Sequence, residues 1–117
     1  MEPAAIKPTV TQAALDALDI RVGTIVRVED VPKAAKLVRL IVDFGDHQRQ
    51  IIAGLKQERA DPRELESRQA LFVVNLEPRT IRGEQSQGML FDIGYADGIT
   101  PCLATPERPV PNGVRAG

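Results

Sequence analysis

Arg79 and Arg82 stand three positions apart in the segment FVVNLEPRTIRGEQSQGM, Phe72 to Met89, with chemistry-bearing neighbours on both sides. Asn75 contributes an amide and Ser86 a hydroxyl, while Gly83 and Gly88 flank the polar run Glu84, Gln85, Ser86 and Gln87. Guanidinium groups fork onto phosphate oxygens; amides, hydroxyls and free backbone N–H groups reach sugars and base edges. The set suits a phosphate backbone. Bond-making is not provided for, because Ser86 has no histidine or lysine partner at a recognisable spacing. His47 is the only histidine and Cys102 the only cysteine, so a zinc centre, a Ser-His-Asp triad or a Cys-His pair lacks members. The expectation is a non-catalytic protein, not an enzyme, with no cofactor and no metal.

The elements that must hold these groups follow from periodicity. Ile20, Val22, Thr24, Val26 and Val28 share one face of a long first strand, with a bend or bulge expected at Gly23. Leu37–Phe44 reads as a second strand, Gly45-Asp46 as a turn and Gln48–Ala53 as the returning third. Asp61 before Pro62 predicts a helix N-cap and a first-turn proline, hence one short helix between the third and fourth strands. Ala70–Leu76 is the fourth strand, the exposed loop carrying Arg79 and Arg82 follows, and Met89–Tyr95 is the fifth. Residues 1–15 read as an N-terminal arm, in which Thr11 caps a helix over 12–18 and Leu15 and Leu18 dock on one face. The tail, TPERPVPNGVRAG, has three prolines and cannot be regular throughout. Three strands, a helix and two strands is the order of an all-β OB-fold, a five-stranded Greek-key barrel spanning 16–117 with a C-terminal extension. An SH3-like barrel with an inserted helix competes with it.

At 117 residues the chain makes one domain with a modest core, and its 43% hydrophobic and 26% charged residues are those of a globular protein. No apolar stretch approaches the roughly 20 residues of a membrane span, so no membrane insertion is expected. The start lacks a signal-peptide apolar region, which makes a cytoplasmic location the expectation. A net charge of −1 argues against indiscriminate nucleic-acid binding. Charge is nevertheless uneven. Arg21, Arg27, Lys33, Lys36 and Arg39 outnumber Glu29 and Asp30 over 21–39, whereas Glu58, Asp61, Glu64 and Glu66 dominate 58–66. Phe44, Phe72, Phe91 and Tyr95 are the only aromatics, too few for base stacking to lead. Shape, phosphates and 2′-hydroxyls, the means by which structured RNA is held, fit better.

The segments DIRVGTIVRVEDVPKAAKL, IVDFG, IIAGL, VVNLEPRTIRGEQSQGM and TPERPVPNGVR, taken in order over about residues 16–115, resemble the bacterial tRNA-binding domain family. That family includes free-standing dimeric tRNA-binding proteins, the C-terminal domain of methionyl-tRNA synthetases and EMAP-II-type synthetase cofactors; CsaA-type secretion chaperones share the fold and the opening motif. The resemblance implies an OB-fold that binds structured tRNA without chemistry, and a homodimer paired through its terminal segments. It implies RNA-facing roles for Lys36, Asn75, Arg79, Arg82, Gly83, Ser86 and Met89, with Leu37 beside Lys36. Val31-Pro32 stands where the family often has His-Pro, and Ala53-Gly54-Leu55 where it has Ser-Gly-Leu, which removes a hydroxyl.

Other readings stay open on the residues alone. Arg79, Arg82 and Lys36 also read as solvated cations, Asn75 as a loop hydrogen-bonder, Met89 as core and Cys102 as a small apolar side chain. At the level of the protein, the alternatives are a CsaA-type export chaperone holding unfolded preproteins, and an accessory subunit that delivers tRNA to an aminoacyl-tRNA synthetase. Arg82-Gly83 and Gly88-Met89 favour the tRNA-binding branch.

Overall fold

The computed structural model describes residues 2–117. Of the arm, residues 2–10 are exposed and form no regular element. Thr11 opens helix α1 (Gln12–Asp16), its hydroxyl accepting the Ala14 N–H at 3.1 Å as expected of an N-cap. Leu15 and Leu18, expected to dock, remain 55% and 45% exposed.

Strand β1 (Ile20–Asp30) is the spine of the sheet. Its second half pairs antiparallel with β2 (Val38–Asp43), which turns back through Gly45 into β3 (Gln48–Ala53). Its first half pairs with β4 (Gln69–Val73). Alternation sets the faces: β2 buries Val38, Leu40 and Val42 and turns Arg39, Ile41 and Asp43 outward. The register slips between Ile25 and Arg27, not at Gly23. Gly23 serves packing instead, since a Cβ there would stand 2.6 Å from Val42 Cγ1 and 2.8 Å from Phe44 Cε1.

Between β3 and β4 lies the expected short helix, as a single 3-10 turn over Pro62–Leu65. Asp61 caps it by accepting the Arg63 N–H at 3.1 Å, and Pro62 occupies the first turn, where no N–H is needed. Leu65 is carried fully into the core beside Ile25, Leu40, Ile51 and Phe72.

Beyond β4 the chain differs from the sequence reading. The fourth strand stops at Val73, not Leu76. The loop expected to carry Arg79 and Arg82 is a β-hairpin, β5 (Arg79–Ile81) with β6 (Glu84–Ser86). The expected fifth strand is two fragments: β7 (Met89–Leu90) on β4, then β8 (Asp92–Ile93) on β9 (Cys102–Leu103). The break falls at Phe91, whose N–H donates back to Leu71 O at 3.0 Å. Cys102 is exposed on β9 rather than buried as a small apolar group.

The sheet runs β3-β2-β1-β4-β7, and its two ends meet. The Gln87 N–H donates to Gln50 O at 2.8 Å, the Gln50 N–H to Gln87 Oε1 at 2.9 Å and the Ile52 N–H to Ser86 Oγ at 3.0 Å. These bonds join β3 to the β6–β7 segment and complete the all-β OB-fold barrel. Gly88 lets the seam close, because a Cβ there would lie 2.8 Å from Val73 O.

The tail is tied down without being a regular strand. The Gly113 N–H donates to Val22 O at 2.8 Å, the Val22 N–H to Val114 O at 2.9 Å and the Ala116 N–H to Ile20 O at 2.8 Å. The tail thus takes the edge of β1 that β2 leaves after the Thr24–Asp43 pair. Asn112 Oδ1 accepts from Thr24 Oγ1 at 2.8 Å and from Gln69 Nε2 at 2.9 Å, which fixes its place. Among the described residues no helix is long and apolar enough to cross a membrane.

Candidate nucleic-acid interface

Ile81 and Glu84 are cross-strand partners, so Arg82 and Gly83 alone form the hairpin turn. Their φ angles of 52° and 79° are both left-handed, the pattern of a type I′ turn that follows strand twist. Glycine adopts it freely; Arg82 does so at a cost of roughly 1 kcal/mol. No heavy atom lies within 4 Å of the position a Gly83 Cβ would take, so the turn stands clear of the barrel.

A small second core aims this turn. Val31 and Ala34 from the β1–β2 connection and Ile52 from β3 are buried together, with Leu37 and Ile81 packed on them. Leu37 follows Lys36 and Ile81 precedes Arg82, so the cluster brings the Lys33–Lys36 connection to the hairpin tip. Lys56 braces that connection by donating to Ala34 O at 2.8 Å and pairing with Asp30. Lys33, Lys36, Arg79 and Arg82 are exposed, and among the described residues none has a carboxylate within 4.0 Å. The hairpin and this connection thus carry four exposed cations on an almost neutral molecule.

Beneath the tip, charges are paired. Arg39 donates to Glu84 Oε1 and, at 3.3 Å, to Glu29 Oε1, while Arg27 Nε lies 3.4 Å from Glu29 Oε2. Gln50 Nε2 donates to Gln85 O at 2.9 Å and to Glu84 Oε2 at 3.5 Å. The Glu84 carboxylate, ahead of Glu29, raises the Arg39 pKa above its ordinary value, so Arg39 is a fixed and locally neutralised charge.

The residues expected at the site fall into three places. Lys36, Arg79, Arg82 and Gly83 belong to the hairpin and the connection packed on it. Ser86 is buried in the barrel seam, where its hydroxyl accepts from the Ile52 N–H and donates to Gly88 O at 3.0 Å. Asn75 and Met89 lie at the β4–β7 end. Asn75 Oδ1 accepts the Asp19 N–H at 2.8 Å and its Nδ2 donates to Ala17 O at 2.7 Å, joining the end of β4 to the run into β1. Met89 is exposed on β7 rather than core. Sequence reasoning missed Arg39, Gln50 and the pairing role of Glu84. Alternation already put Arg39 on the outer face of β2, but its partner comes from a hairpin 45 residues away.

Two cavities lie away from the tip. One of about 720 Å³ is lined by Arg59, Arg68, Cys102 and Arg108. The other, about 590 Å³ and apolar, lies between α1, β1 and the tail and is lined by Leu15, Leu18, Ile20, Leu71 and Phe91. Glu58 and Asp92 have raised pKa values, chiefly through burial, with the Asp92 charge adding to the effect on Glu58. Among the described residues no group of acidic, histidine or cysteine side chains is arranged to hold a metal.

A cationic hairpin docked on a small OB barrel is an arrangement suited to nucleic acid, and comparison with known proteins gives the family. Residues 20–115 match the family described as "Putative tRNA binding domain". The chain belongs to this tRNA-binding domain family. It is 44% identical over 98 residues to the methionine–tRNA ligase of Methanocorpusculum labreanum, which covers 84% of this chain and 14% of the ligase. The chain thus spans about one-seventh of the length of the curated relatives it matches. A methionyl-tRNA-synthetase-related protein from Pyrococcus horikoshii superposes with a TM-score of 0.87 at 33% identity, over 95% of this chain and 100% of that one. The chaperone CsaA from Bacillus anthracis superposes with a TM-score of 0.80 at 25% identity, over 94% and 100%.

Proposed function

We propose that the chain binds structured tRNA as a non-catalytic homodimer, each subunit presenting its hairpin tip to the RNA backbone. One observation carries the reading: Lys33, Lys36, Arg79 and Arg82, on the hairpin and on the connection packed with it, have no carboxylate partner among the described residues. Such charges release counterions from a phosphate backbone and hold a folded RNA by shape. Ser86 acts on this site through the barrel seam, and Asn75 and Met89 extend the surface toward the β4–β7 end. Exposed Leu15 and Leu18 lining the apolar groove, with exposed Ile6 and Val10 in the preceding arm, support pairing with a second copy. Kinship with methionine–tRNA ligases supports an aminoacyl-tRNA synthetase as a partner, and a cytoplasmic location accords with both.

Equilibrium binding of bulk tRNA at two salt concentrations tests the reading. Wild-type binding is expected to weaken steeply with salt. Arg82→Glu should lose about tenfold or more and flatten the slope of log K against log[salt] by about 1, while Arg108→Glu changes little. Equal affinity of Arg82→Glu and wild type would rule out the tip. The likeness to CsaA and the apolar groove favour a second reading, a chaperone for unfolded preproteins. Protection of a denatured client without tRNA binding would establish that one instead.

A further inference from the structure

The cationic tip also carries an acid, and an acid there needs a reason. Glu84 immediately follows the Arg82–Gly83 turn, where its charge opposes any approaching phosphate. On electrostatics alone the site would be better without it. Its contacts supply the reason. Glu84 is held by Arg39 from β2 and by Gln50 from β3, and Arg39 is held in turn by Glu29 from β1. Arg39 and Glu84 are only 21% and 24% exposed, so their bond is shielded from water more than an open surface pair. Hairpin β5–β6 has three residues a side and one turn, too little to hold its own orientation. Ser86 and Gln87 fix its base in the barrel seam. Among the described residues, Glu84 is the charged group that ties its upper half to the sheet.

We infer that Glu84 is a positioning residue for tRNA binding: its bond to Arg39, acting with the packing of Ile81, holds the hairpin over β3 on the side of the Lys33–Lys36 connection. The inference rests on the tRNA-binding reading above. It makes a prediction opposite in sign to that of simple charge. If only potential matters, Glu84→Gln tightens tRNA binding, Arg39→Gln weakens it, and the two effects add. If Glu84 positions the hairpin, Glu84→Gln weakens binding despite removing a repulsive charge, by about fivefold for a pair of this exposure. Arg39→Gln then weakens it similarly, and the double variant falls no further than either single one, because both remove the same bond.

The experiment is a double-mutant cycle on these variants in tRNA binding at fixed salt, with amide hydrogen exchange of residues 79–86 recorded for each. Weaker binding and faster hairpin exchange in Glu84→Gln, with a non-additive double variant, are expected. Equal or tighter binding by Glu84→Gln overturns the positioning role. Unchanged exchange overturns the clasp itself, whatever the affinities. Failure of the wild-type chain to bind tRNA overturns the proposed function and the positioning role together, and faster exchange would then mark Glu84 as a stabiliser of the hairpin only.

Discussion

Arg82, the residue proposed to meet RNA at the turn, sits against its own backbone preference. Its left-handed φ suits asparagine or glycine better than a long cationic side chain. Arg82→Asn should therefore stabilise the hairpin, slowing its amide exchange, while tRNA affinity drops; gain or loss in both together would show that the strain has no link to binding. Ser86 is the reverse case. Removing its hydroxyl strands the buried Ile52 N–H and Gly88 carbonyl, so Ser86→Ala should cost about 1–3 kcal/mol in denaturant unfolding. Asp92 and Glu58 give a pH signature. Burial raises both pKa values, so between the ordinary carboxylate range and those raised values the folded chain binds more protons than the unfolded chain. Stability from this pair thus falls as pH rises through that window. Asp92→Asn should raise Tm by about 2 °C at pH 7, a modest figure because water partly screens the site, and by little near pH 4.

At the scale of elements, what was legible followed local rules. Alternation gave β2, β3 and the extent of β1, though the bulge breaks the single face expected of β1, burying Ile25 and leaving Val26 exposed; Thr11 and Asp61 marked helix caps because a cap needs only a side chain and a backbone two or three residues on. The hairpin was not legible, since Arg-Gly is an unusual pair for a type I′ turn and RTI and EQS are too short to show a period. Met89–Tyr95 read as one strand because its apolar character is continuous; the change of partner at Phe91 is tertiary and leaves no local mark. Lys36, Arg79 and Arg82 were put forward from type and motif, whereas Arg39 and Glu84 required the barrel to close before they met. The tail was read as irregular, which it is, but its docking depends on Asn112 and Gln69, partners 43 residues apart. Asn112→Ala should free it, at about 1–3 kcal/mol, and expose the β1 edge to aggregation, which light scattering on mild heating would register.

For the whole molecule, one barrel carries two unlike surfaces, a cationic tip and an apolar groove beside α1. If a second copy covers the groove, Leu15→Asp with Leu18→Asp should yield a monomer by sedimentation. Affinity per subunit for a short RNA would stay near wild type, while affinity for whole tRNA falls through loss of bivalency. A dimer that survives both changes would place the contact elsewhere.

The bond from Ala116 to Ile20 has a consequence for attachment. It brings the C-terminal tail to the start of β1, where the N-terminal segment enters the barrel, whereas Glu29, Arg39 and the hairpin gather near the strand's other end. Along β1 the two lie at most roughly 30 Å apart, at about 3.3 Å per residue. A larger body joined at either terminus therefore meets the barrel at the same pole and leaves the tip uncovered. On the proposed tRNA-binding reading, a module leashed through either lead would raise the local concentration of RNA around its carrier. Fusions to a bulky inert protein at the N- or the C-terminus should consequently bind tRNA alike.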